Sequence, residues 1–217
     1  MTSTLKALLS LPEVFDLDEM QKKTGQSRHA VRMMLSRAHA NKLVEPAGPR
    51  LGVYYNFLKA RERKLEAAVK LAIPSAIVIG PSALHWHSVT SQRSHLLSVA
   101  WLKNSNMRYL PAMDDVISVP RPPEWFRAIA GHTTEGPGGL PVLDADYAVA
   151  DMLLRGGGGD IPELDEDDLD LDDADDDVGL TMKRVHEVEQ IFREFGVKSR
   201  EEEAEKAEKS ANAGMKP

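Results

Sequence analysis

The chain of 217 residues contains no cysteine, which excludes disulfides, thiolate chemistry and cysteine-ligated zinc. No apolar run approaches the roughly 18 residues needed to cross a bilayer, so no membrane partner is expected. The first residues, MTSTLKALLSLPEVFDLDE, lack a basic-then-apolar pattern with a small-residue cleavage site, and a cytoplasmic protein is the expectation. Also missing are GxGxxG, the Walker loop, HExxH and GxSxG. The run Gly156–Gly159 has no Lys-Ser/Thr partner and no helical pattern behind it, so it reads as a flexible joint. No catalytic residue and no cofactor is assigned, and the chain is not expected to be an enzyme.

Hydrophobic residues make up 42% and charged residues 28%, ordinary values for a globular protein with room for one large or two small domains. The net charge of −7 argues at first against nucleic acid, but it conceals an asymmetry. Residues 1–64 hold 12 Lys+Arg against 6 Asp+Glu, whereas the remainder holds 15 against 28. A basic amino-terminal module on an acidic remainder points to a nucleic-acid contact at one end.

Within that module, Leu5, Leu8 and Leu9 recur at helical spacing after a Ser/Thr start, and Pro12 ends the helix. Asp16 is placed to cap a second helix over LDEMQKKTG, with Asp18 and Glu19 in its first turn complementing the helix dipole. Gly25 suits a left-handed stop, and Gln26 or Ser27 can cap a third helix running from about Arg28 to Asn41. Ala30, Val31, Met34, Leu35 and Ala38 share the apolar face of that third helix, turned toward Leu17, Met20 and the first helix. Arg28, His29, Arg32, Ser36 and Arg37 fall mainly on the other.

Two helices joined by a tight glycine turn form a helix-turn-helix pattern. Leu43–Glu45 and Leu51–Tyr55, around a Pro-Ala-Gly-Pro-Arg turn, then read as the hairpin wing of a winged domain over residues 1–60. A lone amphipathic helix with arginines is ordinarily only a solvated face. The ordered set of helices, glycine turn, basic helix and wing is more specific, although some winged domains bind protein instead. The candidate DNA-binding residues are Ser27, Arg28, His29 and Arg32 at the start of the recognition helix, facing base edges. Arg37 and Lys42 are expected at phosphates, and Arg50, at the wing tip, at a phosphate or in the minor groove.

KARERKLEAAVKLAIP reads as a connecting helix, ended by Pro74. SAIVIG, HLLSVAWL and DDVISVP read as strands, Ser82 as the cap of a helix SALHWHSV, and PPEWFRAIA as a helix opening on proline. PVLDADYAVADMLL reads as a strand and a helix. The expected fold class is therefore α+β, a winged helix-turn-helix followed by a mixed α/β domain over 65–196. His85 and His87 point to different faces of a helix and cannot share a metal, whereas on a strand they could. With His95, they are expected to be packing or surface residues, and no metal site is assigned. The pair Asp144 and Asp146, with Asp151 nearby, has the spacing of a magnesium-binding motif, yet no phosphate-binding segment precedes it and Asp144 suits a helix cap.

IPELDEDDLDLDDADDD makes residues 160–178 an acidic flexible segment, either a solvated loop or a ligand for a basic surface on a partner or on this chain's own recognition helix. Leu180, Val185, Val188, Ile191, Phe192 and Phe195 read as an amphipathic helix stopped by Gly196, packing on the second domain. Residues 197–217 are expected to form a disordered tail or a frayed helix.

Three stretches resemble the AbiEi-like antitoxins of the type IV, abortive-infection toxin–antitoxin systems. They are residues 3–55 ending in VYYN, IPSAIVIGPSALHWHSVTSQRSHLLSVA, and PVLDADYAVADMLL. The resemblance implies an autorepressor that binds repeats in its own promoter DNA. It also implies an antitoxin half that counteracts a co-encoded nucleotidyltransferase toxin in phage defence, in many family members without a stable complex. The acidic segment departs from the family pattern. Two other readings are a transcriptional regulator whose second domain senses a ligand, and a protein–protein adaptor that never binds DNA.

Overall fold

The computed structural model describes residues 3–90, 95–103, 113, 115–155, 180–199, 202 and 205. Among them are eight helices and two sheets, an α+β chain that divides into two compact units. The glycine run 156–159, the acidic segment 160–178 and most of the expected tail lie outside the described residues.

The first unit opens with α1 (Ser3–Ser10), β1 (Val14–Asp16), α2 (Leu17–Thr24) and α3 (Arg28–Ala40). The hairpin strands β2 (Val44–Pro46) and β3 (Val53–Asn56) follow, then α4 (Leu65–Ala72). Local chemistry fixes most of these boundaries. Asp16 and Glu19 form a reciprocal capping box: the Glu19 amide donates to Asp16 Oδ1 at 2.7 Å and the Asp16 amide to Glu19 Oε2 at 3.1 Å. Gly25, at φ +66°, closes α2 by donating its amide to the Gln21 carbonyl. Ser27 then accepts the Ala30 amide at the start of α3.

The strands form an antiparallel sheet of order β1-β3-β2, with Phe15 opposite Tyr54 and Glu45 opposite Tyr55. Strand β1 is absent from the expectation above, because three residues are too short to show alternation. Leu8, Leu11, Phe15, Leu17, Met20, Val31, Leu35 and Val44 make one core. Asn56 is buried in that region and donates Nδ2 to the carbonyls of Leu8 and Pro12, at 2.8 and 3.1 Å. It thereby ties the end of α1 to the sheet.

Helix α4 begins only at Leu65, so the stretch from Lys59 to Lys64, expected to be helical, is not. There Arg63 is drawn into an ion pair with Glu45 on β2. Helix α4 also belongs to the first unit, which runs to Ala76, rather than to a second domain starting at residue 65. The same unit takes in the described residues within 109–116 and the segment Glu135–Leu140. In that segment Gly138 adopts φ +62°, and a Cβ there would lie 2.9 Å from the Ala67 backbone nitrogen.

The second unit contains β4 (Ile77–Val78), α5 (Gly80–Trp86), β5 (Leu97–Leu102), β6 (Val116–Arg121), α6 (Pro123–Ala128) and β7 (Thr133–Glu135). It continues with β8 (Pro141–Leu143), α7 (Ala145–Arg155) and α8 (Met182–Glu194). The sheet order is β6-β5-β4-β8-β7, with β4 antiparallel to β5 and parallel to β8. Ser82 does not cap α5; it lies inside the helix, and its hydroxyl bonds the Leu96 carbonyl and the Ser98 amide.

Helix α7 is buried over most of its length, including Tyr147, Ala148, Val149 and Ala150. Against it packs α8 through Val185, Val188 and Phe192, with the Phe192 ring edge-on to Tyr147. Phe195 instead lies past the helix end and is exposed. The tail starts later than residue 197: Val197 is buried, the Lys198 carbonyl accepts from Arg155, and Ser199 and Glu202 exchange a capping box.

A buried polar triad joins three elements of this unit. Asp151 on α7 accepts from Arg121 Nη2 of β6 and from Trp125 Nε1 of α6, each at 2.7 Å. Both charged side chains are within 3% of full burial.

Candidate nucleic-acid interface

The turn at Gly25 and the Ser27 cap decide how α3 is presented. A helix advances about 100° per residue, so Arg28, His29, Arg32 and Ser36 fall within one arc. Opposite them, Val31, Leu35 and Ala38 are buried in the core. All seven candidate residues, Ser27, Arg28, His29, Arg32, Arg37, Lys42 and Arg50, are exposed.

They do not have equal freedom. The Ser27 hydroxyl oxygen is engaged by the Ala30 amide at 3.3 Å, so the side chain serves first as a cap. Arg28 donates Nη1 to Asp18 Oδ1 of α2 at 2.8 Å, and both side chains are more than half exposed. A cation in the first turn of α3 sits at the positive end of that helix dipole, and the Asp18 carboxylate offsets this. Arg32 and Arg37 have no ion-pair partner among the described residues. Arg37 lies to one side of the Arg28–Arg32 arc, toward the carboxyl end of α3.

Lys42 and Arg50 share a backbone property that their sequence context did not announce. Both occupy the left-handed region, at φ +56° and +65°. Lys42 ends the turn that leads from α3 into β2, with its amide bonded to the His39 carbonyl at 2.8 Å. Arg50 sits in the hairpin loop between Pro46 and Val53, whose base is closed by the Ala47 amide on the Val53 carbonyl at 2.9 Å. Non-glycine residues adopt this conformation at a cost of about 1–2 kcal/mol.

Two residues join the candidates that composition alone did not mark. Met33 is 46% exposed on α3, next to Arg32, and offers an apolar group of the kind that meets a thymine methyl. Asp18, read from sequence only as a dipole partner, is the residue that holds Arg28.

The second unit separates the residues that resembled a metal or magnesium site. His85 Nδ1 lies 3.4 Å from the Thr90 carbonyl, His87 Nε2 lies 3.0 Å from the Leu143 carbonyl, and His95 is exposed. Asp144 precedes α7 with His132 at 3.9 Å, Asp146 pairs with Arg184 at 2.9 Å, and Asp151 is committed to the buried triad. Burial first, and the neighbouring Asp146 second, push the Asp144 carboxyl above its ordinary value. His132 stacks on the Tyr147 ring at 4.1 Å. Among the described residues, no three His, Asp or Glu side chains are grouped to hold a metal ion. None of their helices is long and apolar enough to cross a membrane. A scan against models of known families gives no match, and no curated protein matches the chain.

Proposed function

We propose that the first unit is a winged helix-turn-helix domain that binds DNA, and that the chain is an autorepressor with an antitoxin half. The observation that carries the DNA reading is the exposed arc of α3, with Arg28, His29 and Arg32 raised on a three-helix core. Beside it stands an antiparallel hairpin whose loop carries Arg50. In this reading α3 enters the major groove, Arg37 and Lys42 meet phosphates, and the β2–β3 hairpin is the wing. The antitoxin half rests on the resemblance of the segments that form β4–α5–β5 and β8–α7 to the AbiEi-like family. Its counterpart is a co-encoded nucleotidyltransferase toxin.

The test is binding of the full chain to its own upstream DNA at several salt concentrations, beside an Arg28→Ala/Arg32→Ala variant. Affinity should fall with salt at a log–log slope of about −0.9 per phosphate contact. The variant should lose at least about tenfold, given about 1–3 kcal/mol per base-reading pair. Equal, weak binding of both proteins to any DNA overturns the reading. For the second half, growth arrest by the adjacent nucleotidyltransferase should be relieved when this chain is co-expressed. Unrelieved arrest removes the antitoxin assignment and leaves the DNA reading standing.

A further inference from the structure

We infer that Asp18 is a positioning residue that holds Arg28 in readiness for guanine, so that specificity is shared between α2 and α3. This inference rests on the DNA reading above and names the base it selects. A guanidinium carries five N–H donors in a rigid planar fork. Asp18 Oδ1 takes one of them, on Nη1, at 2.8 Å across the α2–α3 turn. The Nε–Nη2 edge has no protein acceptor among the described residues. That edge presents two parallel donors, and the O6 and N7 atoms of guanine in the major groove are the matching pair of acceptors. Adenine offers a donor in place of one of them, and the pyrimidines offer no such pair.

The site of the pair favours this role over surface stabilisation. Both partners are more than half exposed, and exposed pairs of this kind add little to folding stability. The carboxylate sits in the first turn of α2, where the dipole favours a negative charge. The guanidinium sits in the first turn of α3, the part of a recognition helix that meets base edges. When DNA covers the pair and water leaves, the attraction strengthens, because it is no longer screened. The pair therefore has its largest effect in the complex. Asp18 also repels phosphate, so it keeps Arg28 from settling on the backbone, where no sequence is read.

The measurement is selection from a pool of duplexes carrying about twenty random base pairs, made with wild type, Asp18→Asn and Arg28→Lys in the full chain. Dissociation constants on the enriched duplex and its single-base changes then follow. Wild type should enrich a guanine whose replacement weakens binding about tenfold. Asp18→Asn keeps the side-chain shape but not the charge. It should flatten that preference while tightening binding to unrelated DNA, with a salt slope steeper by about 0.9. Arg28→Lys keeps the charge but not the fork and should flatten the same position. Loss of preference at one base pair is a readout that a merely structural Asp18 would not produce. The same guanine preference in wild type and Asp18→Asn overturns the role of Asp18. A wild-type pool with no enriched sequence instead overturns the DNA reading itself.

Discussion

Replacing Asp151 with asparagine should destabilise the second unit far more than a change of one atom suggests. The carboxylate and the Arg121 guanidinium are 2.7 Å apart and almost wholly buried. Asparagine preserves an oxygen for Trp125 Nε1 but removes the charge that balances Arg121. Breaking a buried pair from one side costs about 3–5 kcal/mol, because the surviving ion is left uncompensated. The retained Trp125 bond is of the kind that contributes about 1 kcal/mol, which puts Asp151→Asn near the lower end, about 3 kcal/mol. Asp151→Ala loses both bonds and should reach the upper end.

Urea unfolding followed by tryptophan fluorescence is a selective assay, since Trp86, Trp101 and Trp125 all belong to the second unit. At a slope of about 1–3 kcal/mol per molar urea, the midpoint should fall by about 1–3 M. The paired change Arg121→Met/Asp151→Leu removes both charges together. It should restore the midpoint to near wild type, because an apolar replacement of a buried pair is often neutral or stabilising. An Asp151→Asn midpoint unchanged from wild type, or a double variant weaker than either single, would refute the reasoning.

Three further outcomes are expected. Asn56→Ala strips the donor from the Leu8 and Pro12 carbonyls and should cost the first unit about 2–4 kcal/mol, combining lost bonds and unpaired buried groups, as read by circular dichroism in urea. Gly138→Ala should cost more than Gly25→Ala: both force a side chain into positive φ, but only at residue 138 does the new Cβ meet backbone, at 2.9 Å from the Ala67 nitrogen, whereas Gly25 faces open space. Because the Asp144 pKa is raised, the folded state holds its proton longer than the unfolded chain does. Stability from this group is therefore present below the ordinary carboxylate value of 3.8 and falls as pH rises through the higher folded value. Asp144→Asn should make the midpoint fall less over that window, and an unchanged pH profile would contradict the assignment.

Around α2 and α3, residues that act on near neighbours were legible in the sequence. Asp16, Gly25 and Ser27 set the limits of α2 and α3, and each works within about one turn of its own position. The apolar face of α3 followed from its 3.6-residue period, which is also local. Legibility failed where the partner is distant along the chain. Nothing near Arg63 signals that it turns to Glu45 instead of continuing a helix. The pattern around Asp151 suggested a carboxylate set, but its partners Arg121 and Trp125 lie on other elements and convert it into a core residue. The candidate interface divides in the same way. Its cations were visible as a helix face, whereas the Asp18–Arg28 contact spans a turn and appears only once α2 and α3 are set against each other.

The segment Glu135–Leu140 completes a unit made otherwise of the chain up to Ala76 and the described residues within 109–116, and this gives the protein an order of assembly on the ribosome. Helix α4 leaves the exit tunnel about sixty residues before the turn that covers Glu66 and Ala67 is made. At roughly 5–20 residues per second, that interval is about 3–12 s. During it α4 can pack on β1 and β3, but the side of the helix that meets Glu135–Leu140 is uncovered. A gene fragment ending near residue 76 would make that interval permanent, so a shortened version of this unit needs a substitute for residues 135–140 stitched onto α4.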